Sequence, residues 1–434
     1  MNNEKEGVII IAFILLIVIS PYTAILPMIY ATYITLLKGI NLHKNYWNMG
    51  LFSLFIWSMI VGIINRNMMS FFASFAFLVY FCFSVFLNNY CTSESIVEKI
   101  YRTLVHISIF SSILGLIEKT LYLGWGFSLW RWILELTSQQ VFENRIYSTF
   151  GNPNVAGNWF GIMIILSVYF TDISVKRKKT FYSIVTILFV ISVFLTGSRG
   201  AYIGILCGLG VFWFLKKNKK DILTVSLICL FAATLIIIPT NLLDFNDTME
   251  KQTNNQVTSG ENVDSGEENH EVDASVNSRL GIWLGAIRMI EDKPVTGWGM
   301  MTFLRPQHDY LGGNYYETLY HAHNIWLTFT ATIGGVGLFI YLYMKFNLYK
   351  SIKLLYHKNC RMAPMLAGIQ VLIIGHGVVD FTMMAPQTGI MFIGCSAIIS
   401  TLSMQYSKSS IETPALVKKY RSLSNELIKN QNIK

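Results

Sequence analysis

Charge is scarce in this chain. Of its 434 residues only 14% are Asp, Glu, Lys or Arg, whereas 53% are hydrophobic and mean hydropathy is +0.45. A soluble globular protein carries about 25% charged residues, so there is too little charge here to cover a water-facing surface of this size. A soluble domain, a secreted disulfide scaffold and a disordered chain are all excluded. The six cysteines, at 82, 91, 207, 229, 360 and 395, fall in apolar runs or in loops expected on the cytoplasmic side. The long polar loop has none, so there is neither a disulfide framework nor a CxxC metal pair. No small-residue cleavage site follows Val8–Ser20 and the chain stays apolar, so the first run reads as a retained span rather than a signal peptide. GxxxxGK[ST] and GxGxxG loops are missing, which removes nucleotide binding, and no Asp-x-Asp or HExxH signature suggests a metal. Ionisable residues near mid-membrane depth are few. His106, Glu118, His376 and Asp380 come nearest, and a proton-coupled transporter would show more.

What the chain does have is a series of separate apolar runs, each near the ~20 residues that cross a bilayer. They lie at roughly 8–20, 22–37, 47–64, 68–87, 103–123, 154–171, 181–196, 200–215, 222–240, 324–344, 362–380 and 386–405. The expected fold is an all-α polytopic membrane protein of about twelve transmembrane helices. Only Pro21 separates the first two runs, which leaves eleven as the alternative count. The expected organisation is nine helices within 1–240, a long extracytoplasmic loop at 241–323, three helices within 324–405 and a basic tail at 406–434.

Net charge is +9, and its distribution sets the orientation. With both termini cytoplasmic, 24 of the 34 basic residues fall on the inner side, densest in short loops such as Lys176-Arg177-Lys178-Lys179. This excess explains the basic balance without nucleic acid. The outer side then holds 124–153, the turn at 196–200 and the loop 241–323. Within that loop, Asp244 to Asp273 has nine acidic residues and one lysine among Asn, Ser, Thr and Gly. Such a composition cannot bury apolar surface, so 244–278 is expected to be a disordered insert. Ser278 then reads as an N-cap, and Leu280, Trp283, Leu284, Ile287 and Ile290 repeat at helical spacing until Asp292-Lys293-Pro294. A helix over 279–291 is too short and charged to span, and suits the outer interface.

Basic residues on that outer side are the candidates for function. Arg199 sits in the tight turn Thr196-Gly197-Ser198-Arg199-Gly200, Arg279 opens the interfacial helix, and Arg288 follows along it. The planar guanidinium donates two hydrogen bonds to phosphate and never deprotonates. An arginine can equally snorkel to lipid headgroups. That reading suits Arg288 and Arg305, the glycine-flanked turn favours function for Arg199, and Arg279 stays open between the two. His321-Ala322-His323-Asn324 stands at the mouth of the next span. A histidine there can act as a base towards a sugar hydroxyl or serve as a polar anchor. Residues at i and i+2 share no helix face, which argues against a two-histidine zinc site. Gly151-Asn152-Pro153-Asn154 makes a turn that starts a helix, with Asn152 or Asn154 as cap. Its exposed amides could receive an anion or a sugar oxygen, although spacing alone asks for no more than a capped turn.

The order of these segments carries a resemblance. Phe150-Gly151-Asn152-Pro153-Asn154 and Thr196-Gly197-Ser198-Arg199-Gly200 are followed, past the long loop, by Arg279-Leu280-Gly281-Ile282-Trp283, Gly297-Trp298-Gly299, His323-Asn324-Ile325-Trp326-Leu327 and Gly334-Gly335-Val336-Gly337. From about 145 to 400 the chain resembles the O-antigen ligase/polymerase superfamily of bacterial surface-polysaccharide assembly. No single motif is specific; their order and topology are. The resemblance implies a metal-independent inverting glycosyltransferase of GT-C type, without cofactor, acting on undecaprenyl-diphosphate-linked glycans at the outer face of the cytoplasmic membrane. It implies that Arg199 and Arg279 hold the diphosphate and that His323 is the base or acceptor-orienting group. Asn152, Asn154, Arg288, His321 and Asn324 remain candidate substrate-binding residues. Implied partners are the lipid-linked donor, a glycan acceptor, the bilayer and other polysaccharide-assembly proteins such as a flippase or chain-length regulator. The acidic insert departs from the family pattern.

Within the family, a polymerase joins repeat units and a ligase moves a finished glycan to lipid, wall or protein. The absence of an added soluble domain favours polymerase, with ligase the alternative. A flippase for the same lipids is a third reading and would show charge in a cavity between the spans. The charges gather instead at one face.

Overall fold

The computed structural model describes residues 3–125, 145–216, 274–301, 310 and 321–407. The expectations for the span at 222–240, for most of the acidic insert, for Arg305 and for the tail beyond 407 lie outside these residues. Among the described residues the regular structure is helical, without strands. In chain order the helices are α1 (Asn3–Ile19), α2 (Ile25–Leu37), α3 (Tyr46–Ile64), α4 (Met68–Ala73), α5 (Phe75–Tyr90) and α6 (Glu94–Trp125). Then come α7 (Pro153–Ile173), α8 (Arg177–Thr196), α9 (Arg199–Leu215), α10 (Ala274–Asp292), α11 (Ile325–His357), α12 (Ala363–Gly377) and α13 (Pro386–Ser407). Among the described residues, seven helices are long and apolar enough to cross a membrane: α3, α4–α5 taken together, α6, α7, α8, α11 and α13. The shorter α1, α2, α9 and α12 are also apolar.

Several boundaries differ from the expected ones for physical reasons. The first two runs form separate helices, because Pro21 and the turn through Thr23, whose hydroxyl donates to Leu16 O at 2.6 Å, interrupt the backbone ladder. Helix α6 starts nine residues before the expected 103 and α11 continues to His357. At 1.5 Å per residue, the part of α11 beyond its break at Gly334 is about 35 Å long, more than the ~30 Å hydrocarbon core, so its basic end lies past the apolar run. Helix α10 begins at Ala274, so Ser278 lies inside it rather than capping it, and 274–278 do not belong to a disordered insert. Asn and Ser caps start the helices that matter most for the site. Asn152 starts α7, Ser198 starts α9 and Asn324 starts α11, each accepting from backbone N–H groups of the first turn.

The core lies between α7, α9, α12 and α13, whereas Ile60, Ile63, Phe72, Ile184, Ile187 and Phe339 turn outward as a lipid-facing surface would. Glycine permits the tightest crossing. A Cβ on Gly204 would lie 2.7 Å from Leu372 O and one on Gly208 2.7 Å from Gly368 O, so α9 and α12 touch backbone to backbone.

Helix α10 is hung from α11. Its Ile282, Ala286 and Met289 pack with Ala322 and Ala331, while Leu280, Leu284 and Ile287 stay exposed, which suits an interfacial helix. Beyond α10 the chain pairs with a break in α11. Trp298 N donates to Ala331 O (2.9 Å), Gly299 N to Thr332 O (2.7 Å) and Gly335 N to Pro294 O (2.7 Å). The break is at Gly334 (φ 67°, ψ −175°), and the carbonyl of Ile333, freed from the helix, accepts from Trp57 Nε1 at 2.8 Å.

Candidate functional site

Helices α7, α9 and α11 begin, and α8 and α12 end, at one end of the bundle. Asn158 Nδ2 donates to Thr382 Oγ1, Asn324 Nδ2 donates to Val378 O, and Gly200 lies against the His376 ring. Three helix N-termini at one end present partial positive charge. At this end stand Arg145, Arg199 in the first turn of α9, Arg279 of α10, His321, His323 and Asp380.

The clearest geometry is the pair His323 and Asp380. His323 Nδ1 lies 3.0 Å from Asp380 Oδ1, which also accepts from Phe381 N at 2.7 Å. Burial pushes the Asp380 carboxyl up, but the hydrogen bond from His323 and the nearby imidazoles outweigh it, so the acid stays well below the usual carboxylate range. An ionised carboxylate only accepts hydrogen bonds, so Nδ1 of His323 carries a proton, and in the neutral form of the ring Nε2 is the nitrogen with the lone pair. His321 is the opposite case. Its Nδ1 accepts from His323 N at 3.1 Å, and burial lowers its pKa to about 4, so the neutral ring carries its proton on Nε2. One ring therefore presents an acceptor and its neighbour a donor.

The two rings meet at 4.5 Å, edge to face, although they are two residues apart. The helix-face argument against such a pair does not apply, because both precede α11 and His323 has a left-handed backbone (φ 48°). A non-glycine residue there costs about 1–3 kcal/mol. The donor atoms of His321, His323 and Asp380 lie within 4.8 Å of one another, which is a possible set for a divalent ion. The tautomers above already commit Asp380 Oδ1 and His321 Nδ1. Arg145 and Arg279 also lie within electrostatic reach of one another, and Asp380 of Arg145, which favours an anionic ligand.

The candidates from sequence divide. Arg279 belongs to the cluster, since both His376 and Arg145 feel its charge together with that of Asp380. Arg199 is half-buried in the first turn of α9, one residue before Gly200, whose Cα faces the fully buried His376. Asn324 caps α11 through Oδ1 and ties it to the end of α12. Asn152 caps α7, accepting from Asn154 N at 2.8 Å. Arg288 is exposed and donates to Tyr310 O at 3.0 Å, and the Tyr310 hydroxyl bonds Asp292; these contacts brace the loop rather than join the cluster.

Two residues of the cluster are not among the site candidates from sequence. Asp380 reads there only as an acid near an apolar span, a position that is itself a functional signal. Arg145 is a lone basic residue five positions before the Phe150-Gly151-Asn152-Pro153-Asn154 motif, and that placement is its one signal in the sequence. Glu118, the other acid in a span, has a structural role: its Oε2 accepts from Tyr147 N (3.0 Å) and Ser148 N (2.8 Å), holding the segment that leads into that motif.

Residues 184–342 match the family described as O-antigen ligase, a stretch that includes Arg199, Arg279, His321 and His323 but neither Arg145 nor Asp380. A Rickettsia conorii protein provisionally named a polysaccharide ligase is 26% identical over 227 residues, which cover 50% of this chain and 48% of the relative. The chain spans about half the length of that curated relative.

Proposed function

From its likeness to the O-antigen ligase family, we propose that this membrane protein transfers a glycan from undecaprenyl diphosphate to a hydroxyl acceptor at the outer face of the cytoplasmic membrane. The observation that carries the reading is the His323–Asp380 pair in one cluster with Arg279, beside the turn that holds Arg199. The acceptor hydroxyl attacks the anomeric carbon and gives its proton to His323 Nε2. The bond to the diphosphate oxygen breaks, and Arg199 and Arg279 take up the charge that develops on the leaving group. Displacement from the opposite side inverts the anomeric configuration. Asp380 holds the imidazole in the tautomer that can accept the proton and stabilises the imidazolium that forms. His321, through Nε2–H, orients a sugar or phosphate oxygen. No step in this scheme calls on a metal or other cofactor.

A polymerase and a ligase differ only in the acceptor. The polymerase reading takes a second lipid-linked repeat unit as acceptor. The ligase reading has a specific observation in its favour: the matched family and the Rickettsia relative both carry ligase names.

Deleting the gene and sizing both the lipid-linked and the finally attached glycan tests the proposal. Single repeat units with the long ladder gone mean polymerase. Long chains stranded on the carrier and absent from their acceptor mean ligase. Repeat units trapped on the inner leaflet would overturn both and leave a flippase.

A further inference from the structure

Arg145 is bound at both sides of its guanidinium. Its Nε donates to Thr196 O at 2.6 Å and its Nη2 to Asn154 Oδ1 at 2.8 Å. One fork thus joins the first turn of α7 to the last residue of α8. It lies over Gly197, where a Cβ would come 3.4 Å from Nε, and Gly197 has the left-handed backbone (φ 59°) that reverses the chain just before Arg199. The segment that follows Arg145 is fixed from two sides, since Ile146 N donates to Leu195 O and Glu118 receives the next two amides. The charged and titratable neighbours of Arg145 include Tyr147, Asp380, Tyr202 and Arg279. The two acceptors of its fork, a main-chain carbonyl and a side-chain amide, are neutral groups.

We propose that Arg145 is a positioning residue of the diphosphate site: its fork locks the start of α7 to the Thr196–Gly197 turn, fixing Arg199 at the end of the bundle that holds Arg279 and the His323–Asp380 pair, and its charge adds to the pull on a diphosphate. This rests on the transferase reading above and adds to it. The turn before α7 then acts in donor binding through Arg145 rather than through its own exposed amides.

Lysine keeps the charge but replaces the planar fork by a single nitrogen, so Arg145→Lys separates the two contributions. Asn154→Ala removes one arm of the fork and leaves the charge intact. Wild type and both variants, in nanodiscs, are compared for binding of undecaprenyl diphosphate itself, for thermal unfolding, and for transfer from an undecaprenyl-diphosphate-linked glycan. The expected result is unfolding close to wild type, undecaprenyl diphosphate binding weakened about tenfold in Arg145→Lys, and donor kcat/KM lowered about 10²-fold, with a smaller loss of the same kind in Asn154→Ala. Wild-type binding and KM in both variants would overturn the proposal. So would loss of the folded protein in both, since Arg145 would then serve folding alone. A wild-type protein that transfers nothing from the lipid donor would instead overturn the transferase reading itself.

Discussion

His323 Nδ1 and Asp380 Oδ1 lie 3.0 Å apart although 57 residues separate them in the chain. The first stands at the start of α11 and the second just past the end of α12, so the pair forms only when these two helices are packed side by side. The hydrogen bond settles which nitrogen of His323 can take a proton, and several expectations follow from it and from its neighbours.

Asp380→Asn removes the charge that holds the His323 tautomer and would stabilise its imidazolium. The rate of transfer should fall by about 10²-fold or more with the protein still folded in the membrane. Turnover of the purified variant checks this, and an unchanged rate would exclude the pair from the chemistry.

Arg199→Ala and Arg279→Ala should each lower transfer by about 10²–10³-fold, the usual loss when one donor to a developing anion is removed. Immunoblots of membranes should show normal amounts of both variants. A normal glycan ladder in either variant would refute its role at the diphosphate.

His321 should govern part of the pH dependence of stability. Its pKa falls from 6.5 to about 4 on burial, so the folded state holds it neutral while the unfolded chain binds a proton. Its contribution is complete above about pH 6.5 and is lost as pH drops towards about 4. The melting temperature in detergent should decline over that interval, and His321→Asn should flatten the slope. The same variant should retain more activity than His323→Ala; equal losses would undo the division of roles between donor and acceptor.

Glu118→Ala leaves the amides of Tyr147 and Ser148 without the acceptor they have now. The cost should be at least about 2 kcal/mol, seen as a lower unfolding temperature, and Glu118→Gln should recover part of it. Equal stability of all three proteins would show that the amides find other partners.

Gly334→Ala should loosen α10 from α11. A Cβ there would sit 2.0 Å from Val295 O at a backbone angle that costs about 1–3 kcal/mol for any other residue. Limited proteolysis of the segment after α10 should accelerate in the variant, and unchanged protection would show that the break can be closed.

The amino-acid sequence by itself determined the class of this protein and most of its helices, because hydrophobic runs and scarce charge have no other stable solution in a bilayer than helices with every backbone group paired. It also determined local devices that need only neighbouring residues: the break at Pro21, a cap at Asn152 or Asn154, of which the structure uses Asn152, and the stop at Pro294. Arg199, Arg279 and His323 stood out because a basic or titratable group beside an apolar span is costly to place and rarely idle. Tertiary structure alone decided the partners. Asp380 reaches His323 only across the α11–α12 contact, Arg145 joins two turns that lie apart in sequence, and the left-handed backbone of His323 brings its ring against His321. Helical periodicity describes which residues share a face of one helix. It carries no information on side chains that meet from the ends of different helices, and this site is assembled from such ends.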